Sequence, residues 1–424
     1  MTLPQWWYDE LRSIASRSRY AVVFAAVTGV LTGVVMAGFE LVVVGVLLDR
    51  LLQAPVWVMA VTPLVGLVVC AAVLATIGRG ESPSLADEYI RAFHEPDARF
   101  GLRSVAARFI AAVATIGSGI AMGLEGVATY IGSAIGSNLH RWLPPRLRGQ
   151  ARSLLIAGTA AGVAAVFKAP ATGAVFALEV PYRDNLARDS LLPSLVAAAS
   201  GYLTFVAFAG TEPLLPVRGV SGFTFIDLVG AGAIGVMGGL GARLFARATR
   251  LAKRTHHEVH PAITATVGGV ILAVLLLVGR WATGETVTLG PGYEVIRWAL
   301  RPDLALWVLA LVLVLRCGAT LTAVGSGAAG GLFIPLVVAG ALLGRLVAGS
   351  IGADDTSLFV IVGISSFLGA GYRVPLAAVM FVAETTGRPF FVVPALIAAV
   401  AAELVVGDAS VSSLQRSPML TGMP

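Results

Sequence analysis

Gly117-Ser-Gly-Ile-Ala-Met-Gly-Leu124 returns later in the chain as Gly325-Ser-Gly-Ala-Ala-Gly-Gly-Leu332. The offset of 208 residues (117 to 325) carries on to Gly132/Gly340 and Gly136/Gly344. A second pair follows in the same order: Phe167-Lys-Ala-Pro170 matches Tyr372-Arg-Val-Pro375 at an offset of 205 (167 to 372), continuing through Gly158/Gly363, Phe176/Phe381 and Glu179/Glu384. Two blocks in one order at nearly one offset mark an internal duplication. The chain divides into an N-terminal interfacial segment (1–19), a first repeat (20–210), a linker (211–225), a second repeat (226–415) and a short tail (416–424). The sequence leaves the relative orientation of the two halves open.

The medium around those repeats is lipid. The 424 residues are 57% hydrophobic and 13% charged, and mean hydropathy is +0.85. A soluble domain carries about 25% charged residues. The fold class is therefore an all-α polytopic membrane protein. Apolar helices are expected at 20–48, 56–77, 105–118, 124–142, 153–167, 171–182, 190–209, 226–250, 261–279, 303–322, 333–350, 357–370, 375–386 and 389–406. A straight crossing needs about 20 residues, so segments such as 171–182 and 375–386 do not cross alone. Short, interrupted helices at corresponding places in two halves point to discontinuous helices that end inside the bilayer at a transport site. Close packing through small residues, as at Gly29 and Gly33, accounts for many glycines but not for the short segments.

The net charge of +6 reads as a positive-inside bias, not a nucleic-acid surface. Basic residues cluster at Arg12, Arg17 and Arg19; at Arg141, Arg146, Arg148 and Arg152; and at Arg243, Arg247, Arg250, Lys253 and Arg254. Placing these connections in the cytoplasm of a cell inner membrane puts both termini inside. Trp6, Trp7 and Tyr8 suit the headgroup layer. Cys70 and Cys317 lie in apolar runs and read as small hydrophobes.

Each Gly-Ser-Gly block opens a helix. First-turn amides lack intrahelical partners and carry the positive end of the helix dipole. Glycine lets a ligand approach that backbone closely. Two such ends meeting at mid-membrane make an anion site without a full positive charge, so the anion can also leave. The match of Gly325–Gly330 to a dinucleotide-binding pattern is rejected, because no parallel-sheet context precedes it. Glu125 is the residue with the strongest claim to function. A carboxylate in an apolar stretch at a helix opening can compete with an anion for amides when ionised and withdraw when protonated. The alternative is a carboxylate that merely satisfies its own helix N-terminus. The second half carries Phe333 at the equivalent position.

These motifs resemble the CLC family of chloride channels and chloride/proton antiporters. Gly-Leu-Glu-Gly-Val (123–127) is similar to the family's G-R-E-G-P, and Gly-Gly-Leu-Phe-Ile-Pro (330–335) to G-G-I-F-A-P. The resemblance implies the CLC fold, with two inverted halves, and a homodimer with one pore per subunit. It implies Glu125 as the gating glutamate, and an anion path formed by Gly123, Leu124, Gly126, Gly331, Leu332, Phe333 and Ile334. Leu124 and Val127 replace the motif arginine and proline. The first family motif, G-S-G-I-P, is degenerate here as Gly78–Pro83, leaving Ser82 or Ser84 as the serine on the central anion. Ser412 aligns where the family often has a tyrosine, and a serine closes the inner mouth less well. Val180 stands at the inner proton-relay position of the antiporters. Its neighbour Glu179 has a repeat partner in Glu384, which favours a structural role for both.

Asp87, Glu88 and His94 are candidates for the inner vestibule, and His256, His257 and His260 for a solvated face in preference to a metal site. The expected function is a chloride channel gated by a protonatable glutamate, with a proton-coupled chloride or fluoride antiporter as the alternative. Chloride is the transported ligand, with protons as a second cargo in the alternative. No cofactor, metal or nucleic acid is expected. No appended regulatory domain is expected after the last helix, with the given sequence ending at Pro424. No convergent catalytic set marks an enzyme.

Overall fold

The computed structural model describes residues 5–95, 100–142, 151–215, 222–353 and 356–417, and for 5–19 and 140 the backbone alone. The expectations for the side chains of Trp6, Trp7, Tyr8, Arg12, Arg17 and Arg19, for Arg146 and Arg148, and for the tail from 418 lie outside the described residues. In chain order the helices are α1 (Gln5–Val42), α2 (Asp49–Leu52), α3 (Val56–Thr76), α4 (Leu85–His94), α5 (Leu102–Gly117), α6 (Glu125–Leu139), α7 (Ala151–Phe167), α8 (Pro170–Glu179), α9 (Leu191–Ala209), α10 (Phe225–Glu258), α11 (Pro261–Thr283), α12 (Tyr293–Ala299), α13 (Leu306–Gly325), α14 (Phe333–Ser350), α15 (Thr356–Tyr372), α16 (Pro375–Thr386) and α17 (Val392–Val406). A π-helical stretch, Val43–Leu48, joins α1 to α2. Among the described residues the extended pairing amounts to isolated bridges only.

Eight spans among the described residues are long and apolar enough to cross a membrane. Outward-facing apolar side chains such as Trp57, Leu203 and Leu404 belong against lipid. The centre is different: α7 and α15 are apolar all round and almost wholly buried, as a helix enclosed by other helices must be.

The two halves are inverted, and named contacts show it. The Glu179 carboxylate, at the C-terminal end of α8, accepts from the amides of Leu376 (3.1 Å) and Ala377 (2.9 Å) at the start of α16. The equivalent Glu384, at the end of α16, accepts from the amides of Ala171 (2.9 Å) and Thr172 (2.6 Å) and from Thr172 Oγ1 (2.7 Å) at the start of α8. Each helix ends where its counterpart begins, so equivalent helices run antiparallel. Each carboxylate also satisfies orphan amides and sits at a positive dipole end. The left-handed residues before these helices, Lys168 (φ 52°) and Arg373 (φ 56°), are equivalent too. Lys168 donates to the Ala209 carbonyl at the end of α9, and Arg373 to the Gly407 carbonyl just past α17.

Helix crossings repeat in the same way. A Cβ on Gly132 would lie 2.0 Å from the Gly158 carbonyl oxygen, and one on Gly340 would lie 2.4 Å from that of Gly363. Only glycine permits backbones this close.

Several expected boundaries change. The backbone of α1 is helical from Gln5, upstream of the expected start at Tyr20. Helix α10 runs on to Glu258, so the basic cluster from Arg243 to Arg254 lies on a helix end and not in a connection. Lys and Arg are good helix formers whose stems lie along an apolar surface, so the basic run does not interrupt the helix. Helices α4 and α12 were not anticipated. Both are short, and α4 is strongly amphipathic, with Tyr89, Ile90 and Phe93 inward.

The crossed carboxylates generate a stability prediction. Glu384→Ala removes the acceptor of three hydrogen bonds, and the loss is expected to be on the order of 2 kcal/mol. The melting temperature in detergent should fall clearly, and Glu384→Gln should recover part of it. An unchanged melting temperature for Glu384→Ala would refute the capping role.

Candidate functional site

The site is built where the two Gly-Ser-Gly loops touch. Each loop follows a helix that stops at a glycine, Gly117 or Gly325. Each turns through a left-handed glycine, Gly119 (φ 83°) or Gly327 (φ 75°), conformations an L side chain rarely adopts. The loops then pair with each other. Gly123 N–H donates to the Gly331 carbonyl at 2.8 Å, and Gly331 N–H to the Gly123 carbonyl at 2.9 Å. Gly123 and Gly331 are equivalent residues of the repeat, so the bridge lies on the axis relating the halves. Crossed hydroxyls reinforce it. Thr115 Oγ1 donates to the Ala329 carbonyl, and Thr320 Oγ1 donates to the equivalent carbonyl of Ala121 at 3.0 Å.

Two buried arginines hold the flanking loops. Arg108 donates to the Ser82 carbonyl (3.0 Å) and Tyr130 Oη (3.0 Å), and pairs with Glu81 (2.8 Å) and Glu88 (3.4 Å). Arg316, at the same 208-residue offset, donates to the carbonyls of Leu289 (3.2 Å), Gly290 (3.1 Å) and Pro291 (2.7 Å). The loops they grip are themselves equivalent, since Ser82 corresponds to Gly290.

The bridge points the N-terminal ends of α6 and α14 at one another. Between them lies Glu125, 1% exposed. Its Oε1 accepts from the Phe333 amide at 2.5 Å. Its Oε2 is buried with no hydrogen-bond partner among the described residues. The carboxylate therefore reaches the opposite helix opening, and the partner amide belongs to its own repeat equivalent. A Cβ at Gly123 would lie 1.9 Å from Oε2, and one at Gly331 would lie 2.0 Å from Oε1. Glycine at both positions makes the pocket that the carboxylate fills.

Phe333 packs against Phe167 (ring centroids 4.3 Å), Phe381 (5.0 Å) and Phe176 (5.5 Å). This aromatic wall lowers the local dielectric and strengthens whatever charge–dipole contact forms there.

The remaining sequence candidates fall in three places. Gly123, Leu124, Gly126, Gly331, Leu332, Phe333 and Ile334 are all buried at the meeting point of the helices. The amide of Leu332 reaches Tyr372 Oη (3.4 Å). Ser82, Ser84, Asp87 and Ser412 line a cavity of about 50 Å³ on one side of that point. Ser84 forms a bridge with Gly330, while Ser82 Oγ accepts from the Ser84 amide (3.2 Å) and shapes the turn. Val180 and Glu179 lie away from the cavity. Val180 ends α8, and its carbonyl accepts from Gln415 Nε2 (2.9 Å).

Glu88 is held by Arg91 and Arg108, and His94 contacts the Pro181 carbonyl (2.8 Å). His256 is half-buried, packs on the Gly327 loop and lines the cavity, unlike the solvated residue expected. His260 instead caps α11, accepting from the Ala262 amide (3.3 Å). Among the described residues no group of three His, Cys, Asp or Glu is placed to hold a metal.

Arg108, Arg316, Lys253 and Tyr372 were missed as site residues. For the arginines a signal existed: both are charged residues in apolar stretches, and they share the repeat offset. Tyr372 entered the repeat comparison only as the counterpart of Phe167.

A family profile described as voltage gated chloride channel matches residues 65–407. A putative chloride channel protein ClcB-like from Ralstonia nicotianae is 29% identical over 329 residues, covering 74% of each chain. An H(+)/Cl(-) exchange transporter ClcA from Citrobacter koseri is 27% identical across 94% of this chain and 88% of its own. The crystal structure of a CLC-type fluoride/proton antiporter superposes with a TM-score of 0.82 at 24% identity, covering 94% of this chain and 98% of its own. A slow cyanobacterial Cl-/H+ antiporter gives 0.81 at 21% identity, covering 91% and 94%.

The glycine pocket is directly testable. Gly331→Ala places a methyl group within 2.0 Å of Glu125 Oε1 and 2.5 Å of the Gly126 amide, so it should abolish chloride binding in calorimetry while the protein still elutes as a folded species. Unchanged chloride affinity in a folded variant would place the anion elsewhere.

Proposed function

The chain belongs to the voltage gated chloride channel family, CLC, and from that premise we propose that it exchanges an anion, with chloride first, for protons, using Glu125 as both gate and proton carrier. It is a multi-pass membrane protein that transports anions. The observation that carries the proposal is the seat of Glu125: one carboxylate oxygen on the Phe333 amide at the head of α14, the other buried without a partner. An ionised carboxylate there stands in the place of an anion. Once protonated it loses most of its hold on a dipole end and leaves, taking the proton with it. An anion then takes the vacated amide.

Val180 at the usual inner relay position argued from sequence for a passive channel. Two observations favour exchange instead. A relative 27% identical is named an H(+)/Cl(-) exchange transporter, and two of the similar solved structures are described as proton antiporters. The missing relay carboxylate does not forbid proton access, because a cavity reaches Leu332 and Tyr372 from the far side of the site. Fluoride stays in view as an alternative cargo, since Leu124 and Val127 depart from the chloride-family motif. A homodimer with one pore per subunit, seated in the cell inner membrane with both termini cytoplasmic, completes the proposal.

Reconstitution in liposomes decides between exchange and channel. A chloride gradient should drive protons uphill, and low pH on the Glu125 side should raise anion flux, because protonation clears the amide. Glu125→Gln should keep anion flux, lose its pH response and stop proton movement. Robust chloride flux with no uphill protons would establish the channel. An unchanged pH response in Glu125→Gln would remove Glu125 from the gate. Repeating the assay with fluoride assigns the anion.

Sidedness is tested separately. Arg250 is exposed near the end of α10. With Cys70 and Cys317 replaced, Arg250→Cys should resist an impermeant thiol reagent in sealed right-side-out vesicles. Labelling there would invert the orientation.

A further inference from the structure

A groove between α1 and the end of α9 holds a carboxylate that the gate does not use. Glu40 lies in α1, within an apolar span that runs from Tyr20 to Leu52. Its Oε2 is buried with no hydrogen-bond partner among the described residues. An ionisable side chain in such a span is costly and marks a function or a partner. Glu40 lines a cavity of about 570 Å³ together with Val34, Leu41, Val44 and Phe208. Leu41 and Phe208 are 66% and 72% exposed, so the cavity opens sideways onto lipid.

Two glycines widen this cavity. Earlier in α1, a Cβ on Gly33 would lie 2.6 Å from the Gly201 carbonyl oxygen, so close packing on α9 requires that glycine. A Cβ on Gly38 would meet nothing within 4 Å, and one on Gly45 only the Leu41 side chain at 3.7 Å. Neither glycine has a positive φ. Glycine weakens a helix interior relative to alanine, and what these two provide is open space beside Glu40. Val44 and Gly45 belong to the π-helical stretch, a wider turn that recurs at functional sites.

A cation stands at the other edge. Lys168 Nζ donates to the Ala209 carbonyl at 3.0 Å, and Ala209 lines the cavity. Lys168 is within electrostatic range of Glu40, while Glu40 Oε2 stays unpartnered. The last carbonyls of α9 carry the negative end of its dipole and favour a second cation beside the lysine. Ala209 is the final residue of α9, and the exposed Gly210, Thr211 and Glu212 follow it. The groove therefore lies where α9 leaves the apolar layer, at the depth of lipid headgroups.

We propose that this groove binds one phosphatidylethanolamine, with the lipid ammonium on Glu40, its phosphate on Lys168 and an acyl chain along Leu41, Val44 and Phe208. The proposal does not depend on the transport reading. An acid and a base side by side over an apolar trough match a zwitterionic lipid. An anionic headgroup would meet Glu40 unfavourably. A choline headgroup carries no N–H and leaves the buried oxygen without a donor, whereas a primary ammonium supplies three. The competing accounts are a charge pair of Glu40 and Lys168 that only stabilises the fold, and a second copy of the chain covering the groove.

The test offers delipidated full-length protein in detergent equal amounts of phosphatidylethanolamine, phosphatidylcholine and phosphatidylglycerol with identical acyl chains. Bound lipid is counted by native mass spectrometry. Phosphatidylethanolamine should be retained severalfold over the other two. Glu40→Gln should erase that preference, Lys168→Met should weaken retention of all three, and Gly38→Leu should fill the groove and cut phosphatidylethanolamine retention severalfold. Should Glu40→Gln fail to fold, Gly38→Leu and the native comparison of the ethanolamine and choline lipids decide. Equal retention of those two lipids by the native protein, or a preference that survives Glu40→Gln, overturns the proposal. A purely structural charge pair predicts that result, with Glu40→Gln and Lys168→Met lowering the lipid-free melting temperature alike. With Cys70 and Cys317 replaced, Phe208→Cys that cross-links to a second copy would show the groove covered by protein, and this too overturns the lipid site.

Discussion

The pairing of Gly123 with Gly331 is the constraint on which the rest of the site depends. It joins two loops through their backbones and so forces the N-terminal ends of α6 and α14 to face each other. Two positive dipole ends brought together in an apolar medium repel and leave amides unsatisfied. A negative group between them relieves both problems. Glu125 is that group in this structure, and in the proposed exchange its departure is what gives an anion somewhere to go. The surrounding parts serve the bridge. Glycines make room for it, threonines tie each loop to the other half, and buried arginines fix the flanking loops.

Symmetry separates architecture from chemistry in this chain. Where an ionisable side chain has a repeat equivalent of the same character, both members of the pair bind backbone groups of the fold. Arg108 and Arg316 hold loop carbonyls, and Glu179 and Glu384 cap opposite helix starts. Glu125 corresponds to Phe333, and its unpartnered oxygen lies at the meeting of the dipoles. Duplication built a scaffold twice, and a carboxylate in one copy gave the site a direction.

The repeat, the helix openings and Glu125 were legible in the sequence because they depend on local order: glycine spacing, an interrupted apolar run, one carboxylate where none belongs. The equivalence of Glu179 and Glu384 was legible for the same reason, and their crossed hydrogen bonds follow it. What stayed hidden depended on groups distant in sequence. Nothing near Lys253 announces its ion pair with Asp87, 166 positions away. Tyr372 looked like a repeat aromatic until its hydroxyl was found beside the Leu332 amide. The histidines were read as solvated because α10 was expected to stop earlier, and its additional turns carry His256 onto the Gly327 loop. The short helices α4 and α12 fell below the length at which apolar periodicity separates a helix from a loop.

A membrane interior is a poor place for an empty anion site. Amides left without acceptors away from water destabilise the fold, each by an amount comparable to a lost hydrogen bond or more. A transporter must nevertheless empty its sites in every cycle. A tethered carboxylate answers this, because the amides then always have an acceptor, whether side chain or ion. The exchange of one for the other then involves little net change in hydrogen bonding. The barrier to moving an anion is set by the difference between two similar contacts and not by the full desolvation of either. On this account an acid that occupies its own binding site is what makes rapid release compatible with a dry, closely packed core, and Glu125 is placed to do this at the point where the two halves meet.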